Sequence, residues 1–172
     1  THEVLPPRQS QSLGISIIYQ DLYLIGPRTV AENLVLGREP RSGPLLLVKE
    51  QRRIAHAALD ELGLDLNIDT PVQAIPLALQ QQVAIARAIA TEPRLLVLDE
   101  ETAALDDQDV ERLGQLLRRL QAKKIPILFV THLLDEVFSL ADSVTVLRDG
   151  EVALQGPVEY RCRDEVITAI VG

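Results

Sequence analysis

LLVLDEE, residues 95–101, decides how the rest of the chain is read. Four apolar residues, Leu95 to Leu98, form a continuous run, the mark of a parallel-sheet strand buried on both faces. The run ends in adjacent carboxylates, which are costly beside an apolar strand unless they have work to do. In an open α/β sheet, ligands bind at the carboxyl ends of the strands. Asp99 is placed to hold a hard cation such as Mg²⁺, directly or through water. Side chains alternate along a strand, so Glu100 reaches a different point, that of a water attacking a γ-phosphate. Read without their neighbours, the same residues are solvated carboxylates at a strand end.

Working outward from this strand, residues 107–122 form an amphipathic helix with Val110, Leu113, Leu116, Leu117 and Leu120 in register. Ile125 to Val130 (IPILFV) is a second buried strand with its proline near the start. A helix from Leu133 to Ala141 and a third strand, Ser143 to Leu147, follow. Asp149-Gly150 signals a hairpin into Glu151–Leu154. The last helix covers Arg163 to Val171. Strand–helix–strand order implies βαβ units, right-handed crossovers and a mostly parallel sheet, an α/β fold.

Upstream, Gly14 to Tyr19 (GISIIY) is a strand ending at Gln20. Residues 21–90 are helical, with no strand pattern, and are read as an insertion. Thr29 caps a short helix, with Glu32 three residues on in a capping-box arrangement, and Gly37 stops it. Arg38 to Pro44 is loop. A helix over 48–62 places Ile54, Ala55, Ala58, Leu59 and Leu62 on one face and ends at Gly63. A helix from Gln80 to Ala90 is apolar nearly all round and so buried.

Composition narrows the function classes. The chain has 172 residues and is 47% hydrophobic, enough for one full core, with only 3% aromatics. A net charge of −8 argues against nucleic-acid binding, which needs a basic face. Cys162 is the single cysteine, read as a surface or half-buried thiol, so no internal disulfide forms. No apolar run reaches the roughly 20 residues of a membrane span, and the Pro-rich N-terminus does not read as a signal peptide. There is no methionine, even at position 1, which suggests a piece of a longer chain.

His132, after Phe129-Val130-Thr131, stands at the carboxyl end of the next strand. Adjacent strands lie roughly 5 Å apart, so a His there can approach the same phosphate region if the two strands are neighbours. An imidazole can bridge attacking water and phosphate oxygen. Alone, such a His is more often a capping or surface residue. Gln20 offers a neutral amide that senses Mg²⁺ or water. Asp106 reads locally as the N-cap of the 107–122 helix.

The order strand–Gln20, helical insertion, QQQVAIARAIATEPRLLVLDEETAALD, strand–Thr131-His132 and the LRDGE hairpin resembles an ATP-binding-cassette (ABC) transporter ATPase domain across essentially the whole chain. AENLVLGRE (31–39) and VTVLRDGEVALQG (144–156) are most similar to bacterial monosaccharide-importer ATP-binding subunits, and the terminal AIVG resembles the end of their first cassette. The resemblance implies a P-loop NTPase-like fold with a helical insertion subdomain and the N-terminal P-loop part missing. It implies one partial domain over 1–172, with 14–20 and 91–172 as sheet core and 21–90 as helical subdomain. Gln20 matches the Q-loop glutamine, Asp99 and Glu100 the Walker B aspartate and catalytic glutamate, Asp106 the D-loop aspartate, and His132 the switch histidine. Implied with them are MgATP, with Mg²⁺ held through Asp99 and Gln20, a head-to-tail second cassette, and a transmembrane permease docking near 21–40. The implied location is the cytoplasmic face of the membrane.

The chain departs from that pattern in three places. None of its nine glycines is followed by Lys, so no GxxxxGK[ST] loop is present, and the sequence begins downstream of that loop's expected place. Pro76 stands where the signature LSxxQ has its serine, and Leu79 where it has glutamine. Glu101 replaces the proline after the catalytic glutamate, leaving three consecutive carboxylates that repel one another without a cation. The expectation is an importer ATPase fragment that does not hydrolyse ATP alone. The alternative is a degenerate, non-catalytic cassette acting as an interaction or regulatory subunit.

Overall fold

A short helix, α1 (Pro7–Ser12), precedes the first strand, β1 (Ile15–Ile18). The computed structural model describes residues 6–19, 22–99 and 107–172. The α1 turn was not anticipated, because PRQSQS has no apolar periodicity. Helix α2 (Val30–Leu34) begins with a complete capping box: the Thr29 side chain accepts from the Glu32 N–H, and Glu32 accepts from the Thr29 N–H. After Gly37, at φ +77°, the segment expected to be loop forms a small antiparallel hairpin, β2 (Arg41–Ser42) and β3 (Leu45–Leu46). Two-residue strands carry no readable alternation, so the pattern could not reveal them. Helix α3 (Val48–Leu62) ends as expected at Gly63, which takes the left-handed conformation and donates to Leu59 and Asp60 carbonyls.

Helix α4 (Leu77–Ile89) starts three residues before the expected Gln80. Pro76 is its N-cap, with φ −54° and ψ 152°, which lets the helix begin immediately after the ring. The sheet resumes with β4 (Leu95–Asp99), crosses over through α5 (Asp107–Ala122) and returns as β5 (Ile127–Val130). Strand β5 starts later than expected because the Ile125 N–H still bonds the α5 carbonyl of Leu120, and Pro126 has no N–H to give. Beyond it lie α6 (Leu134–Leu140), the strands β6 (Ser143–Arg148) and β7 (Glu151–Pro157), and α7 (Arg163–Val171).

The chain divides into two units, residues 1–130 and 131–172. In the first, β1, β4 and β5 form a parallel sheet in the order β1-β4-β5. Ile17 faces Val97, which faces Leu128; Ile18 faces Leu98, which faces Phe129; Asp99 faces Val130. Registered neighbours point to the same side. One side carries Ile18, Leu96 and Leu98, all at most 4% exposed. The other carries Val97 with Ile17, Leu128 and Val130, the last three 40%, 53% and 42% exposed. Burial of these strands on both faces was expected; only one face is closed among the described residues.

The helices of residues 30–89 share their own core of Val30, Leu34, Leu59, Leu62, Val83 and Ile85, none more than 2% exposed. Asn33, fully buried among them, accepts from the Ile25 N–H at 2.7 Å and donates to the carbonyls of Ile25, Arg28 and Thr29. Helix α5 is tied to the end of α3: Arg119 donates to the Leu62 carbonyl, and Lys123 pairs with Glu61. Both cations lie where the carbonyl end of a helix dipole favours them.

In the second unit β6 and β7 form an antiparallel hairpin, with α7 packed on it around Val146, Val158 and Val166. The third strand expected in the parallel sheet is therefore paired only with β7 among the described residues. Asp149-Gly150 turns the hairpin, with φ of +53° and +82°. That matches a turn requiring positive φ at both central residues. Cys162 is exposed and sits at the N-cap of α7.

Candidate functional site

The sheet gathers chain ends at one edge. Because β1, β4 and β5 run parallel, their carboxyl ends share that edge, and the Asp99–Val130 pair marks it. The adjacency of β4 and β5, on which the reading of His132 depended, is therefore present. Asp99 itself closes β4 and is half-buried. Its side chain points to the same side as Val97, the more open side of the sheet.

Gln20, Glu100, Glu101 and Asp106 lie outside the described residues. Gln20 follows Tyr19 in sequence, just past the β1 residue Ile18 that pairs with Leu98. His132 belongs to the second unit and follows Val130 by two residues in sequence. Among the described residues, no three His, Cys, Asp or Glu side chains come together as a metal site. Asp99 offers a hard-oxygen donor at the strand end. It fits a cation that takes one or two carboxylates and fills its remaining positions with phosphate oxygens and water, the habit of Mg²⁺.

Around His132 the local chain is held by side chains. The Thr131 hydroxyl donates to Glu136 Oε2 at 2.5 Å and accepts from the Leu133 N–H at 3.0 Å. Glu136 is 2% exposed, and its Oε1 is buried without a hydrogen-bond partner among the described residues. Further along, Arg163 pairs with Asp135 and lies 5.8 Å from the Phe138 ring centroid, fastening α6 to the start of α7.

The start of α4 carries the position matched to the signature serine. Pro76 provides no side-chain hydrogen bond to the first turn. The Gln80 side-chain amide donates instead to the Ile75 carbonyl at 2.9 Å. A serine at an N-cap offers its oxygen to exactly those first-turn N–H groups that point outward at a helix start. At its other end α4 holds the chain that follows Gln20. Arg87 donates to the Leu22 and Tyr23 carbonyls, each at 2.9 Å, and Arg38 donates to the Ala90 and Arg87 carbonyls. Burial pushes the Arg87 guanidinium down from its usual range, and the Arg38 charge adds to the effect. Burial alone lowers Arg38.

Asn33, Arg87 and Glu136 were not singled out from sequence, and Thr131 only as part of the Thr131-His132 strand end. A polar residue inside an apolar helical stretch, such as Asn33 in VAENLVL or Arg87 in VAIARAIA, is the available signal. It marks a group that needs a partner without naming that partner.

A profile of the family described as ABC transporter matches residues 2–103. The chain belongs to the ABC transporter family. It is 39% identical over 165 residues to a ribose import ATP-binding protein of Corynebacterium glutamicum, covering 96% of this chain and 31% of that protein. It is also 39% identical over 166 residues to an arabinose import ATP-binding protein of Rhizobium etli, covering 96% of this chain and 33% of the relative. The chain thus spans about a third of the length of these curated relatives. Among solved structures, cbiO1 of Clostridium perfringens, part of the cbiONQ ABC transporter complex, superposes with a TM-score of 0.76 at 30% identity. That match covers 95% of this chain and 66% of the other. An ATP-binding cassette solved as a post-hydrolysis dimer with ADP and Pi gives a TM-score of 0.70 at 27% identity, covering 90% of this chain and 68% of the other. The fold is the α/β, P-loop NTPase-like fold of ABC ATPase domains.

Proposed function

We propose that these residues are one partial ABC ATPase domain of a monosaccharide-import ATP-binding subunit, coupling ATP hydrolysis to sugar uptake. The observation that carries the reading is the half-buried Asp99 at the carboxyl end of the central strand, paired with Val130 just ahead of Thr131-His132. Identity of 37–39% to ribose and arabinose import subunits supports the sugar class.

In this reading, bound MgATP supplies the γ-phosphoryl group that water attacks. Asp99 and Gln20 hold the cation side. Glu100 orients the water and accepts its proton, and His132 donates to a γ-phosphate oxygen as charge builds there. Asp106 contacts a second cassette arranged head to tail. A transmembrane permease docks near residues 21–40, which places the protein on the cytoplasmic face of the membrane. Among the described residues, no helix is long and apolar enough to cross a membrane.

The 172 residues hold no GxxxxGK[ST] loop to cradle phosphates and supply the Lys that meets the β/γ oxygens. These residues alone are therefore expected to bind no MgATP at micromolar concentration, as read by calorimetry. Micromolar binding by the chain would overturn that part. For the transport role, uptake of labelled ribose and arabinose is measured in cells carrying the full reading frame. Glu100→Gln and His132→Ala are each expected to lower uptake at least about a hundredfold, the usual loss for a group that moves a proton in the transition state.

The second reading is a cassette that binds partners without turnover. Pro76 at the N-cap of α4, which offers no hydroxyl there, favours it. Uptake that depends on the protein yet is unchanged by Glu100→Gln would select this reading.

A further inference from the structure

Glu136 poses a physical problem that the transport reading leaves unused. It is a carboxylate with 2% exposure, one oxygen of which has no hydrogen-bond partner among the described residues. A buried polar group left half satisfied destabilises a fold, so its retention calls for a reason. Its other oxygen receives the Thr131 hydroxyl at 2.5 Å, the length of an O–H donating to a carboxylate. That same hydroxyl oxygen accepts the Leu133 N–H at 3.0 Å.

Thr131 and Leu133 are the residues on either side of His132. The hydroxyl therefore closes a small loop around His132, and Glu136 locks that hydroxyl in one rotamer. A Thr hydroxyl free to rotate would aim its proton elsewhere and present a different lone pair to the Leu133 N–H. Glu136 sits in the first turn of α6, whose position is further fixed by the Asp135–Arg163 pair and by Arg163 beside Phe138. The chain of support runs from α7 to α6, to Glu136, to Thr131, to the backbone on both sides of His132.

We infer that Glu136, acting through the Thr131 hydroxyl, is a positioning residue that fixes the backbone bearing His132. This deepens the proposed role of His132 and rests on it only for its catalytic meaning. The geometric claim concerns the 172-residue chain as it stands.

The test therefore uses that chain without nucleotide. Amide hydrogen exchange at Leu133 and the His132 imidazole resonances, followed across a pH titration, are compared among variants. Thr131→Val keeps the side-chain shape and deletes the hydroxyl. It is expected to speed Leu133 exchange about tenfold, the scale of one lost hydrogen bond, and to shift the His132 resonances. Thr131→Ser restores the hydroxyl and is expected to restore both readouts. Glu136→Gln keeps an acceptor and the packing, and is expected to stay within about threefold of the parent in Leu133 exchange. Glu136→Leu keeps the burial without an acceptor and is expected to match Thr131→Val in both readouts.

A uniform rise in exchange across α6 and α7, with unmoved His132 resonances, would mean that Glu136 only supports packing, and would overturn the inference. So would Thr131→Val leaving Leu133 and His132 unchanged. If Glu136→Leu fails to fold, Thr131→Val tests the hydroxyl link through which Glu136 acts, and its null result still overturns the inference. The transport reading has a separate readout: sugar uptake insensitive to His132→Ala would sink it without touching this geometry.

Discussion

Residues 22–90 and the three-stranded sheet solve burial in opposite ways. Helices α2, α3 and α4 share an apolar core in which Asn33 is buried and paired, and the half-buried Arg87 bonds the Leu22 and Tyr23 carbonyls, while the hairpin between α2 and α3 leaves Leu45 and Leu46 exposed. The sheet closes one face and leaves Ile17, Leu128 and Val130 open on the other, the side that also bears Asp99. Both regions are built from similar aliphatic residues. What separates them is whether each apolar surface meets a partner within the described chain. A core shared among helices carries stability, whereas a sheet face of exposed aliphatics carries the means of association.

The sharpest way to break this contrast is Asn33→Ala. It deletes an acceptor for the Ile25 N–H and donors for three carbonyls in a fully buried position. Urea denaturation is expected to show a loss of about 3–5 kcal/mol, the range for a broken buried network. A loss below about 1 kcal/mol would mean that the segment does not depend on this clamp. Next in size is the open sheet face. The 172-residue chain is expected to self-associate through it, and Leu128→Lys with Val130→Lys to weaken that association at least about tenfold in sedimentation velocity. A parent chain monomeric at high concentration would remove the contrast from the sheet side.

A smaller effect belongs to the start of α4. Pro76→Ser supplies the missing cap oxygen and is expected to stabilise the helix by about 1 kcal/mol, read as slower exchange in its first turn. The smallest is the pH response of the helical segment's own start. The Thr29 N–H holds the Glu32 carboxyl below its usual value, with Arg28 adding to it. A depressed carboxyl contributes stability that is complete above its ordinary value of 4.5 and disappears as pH falls through the lower folded value. Protection of α2 amides is thus expected to be flat from pH 7 to about 5 and to decline below that. Glu32→Gln should flatten the decline.

These elements were not equally legible. Helices α3, α5 and α7 carry apolar periodicity over nine or more residues, and their bounds as read from sequence agree with the structure. Gly63 and the Thr29–Glu32 box were readable because backbone chemistry at helix ends depends on single residue types. The hairpin at Arg41–Leu46 was unreadable, since two residues per strand give no alternation. The exposure of β5 was also hidden: ILFV reads as buried whether or not a neighbour covers it, because burial is a property of what packs against a strand. At the candidate site Asp99 was legible from its strand. The Thr131–Glu136 bond was not, because an (i, i+5) contact across a strand-to-helix turn follows no fixed sequence period.

The exposed thiol at the start of α7 has a practical consequence. As the single cysteine of the chain, Cys162 accepts one maleimide label with no competing site to remove first. A spin label or fluorophore there reports on residues 131–172 alone, against tyrosine emission drawn from Tyr19, Tyr23 and Tyr160. The chain thus arrives already equipped for spectroscopy of the unit that carries His132.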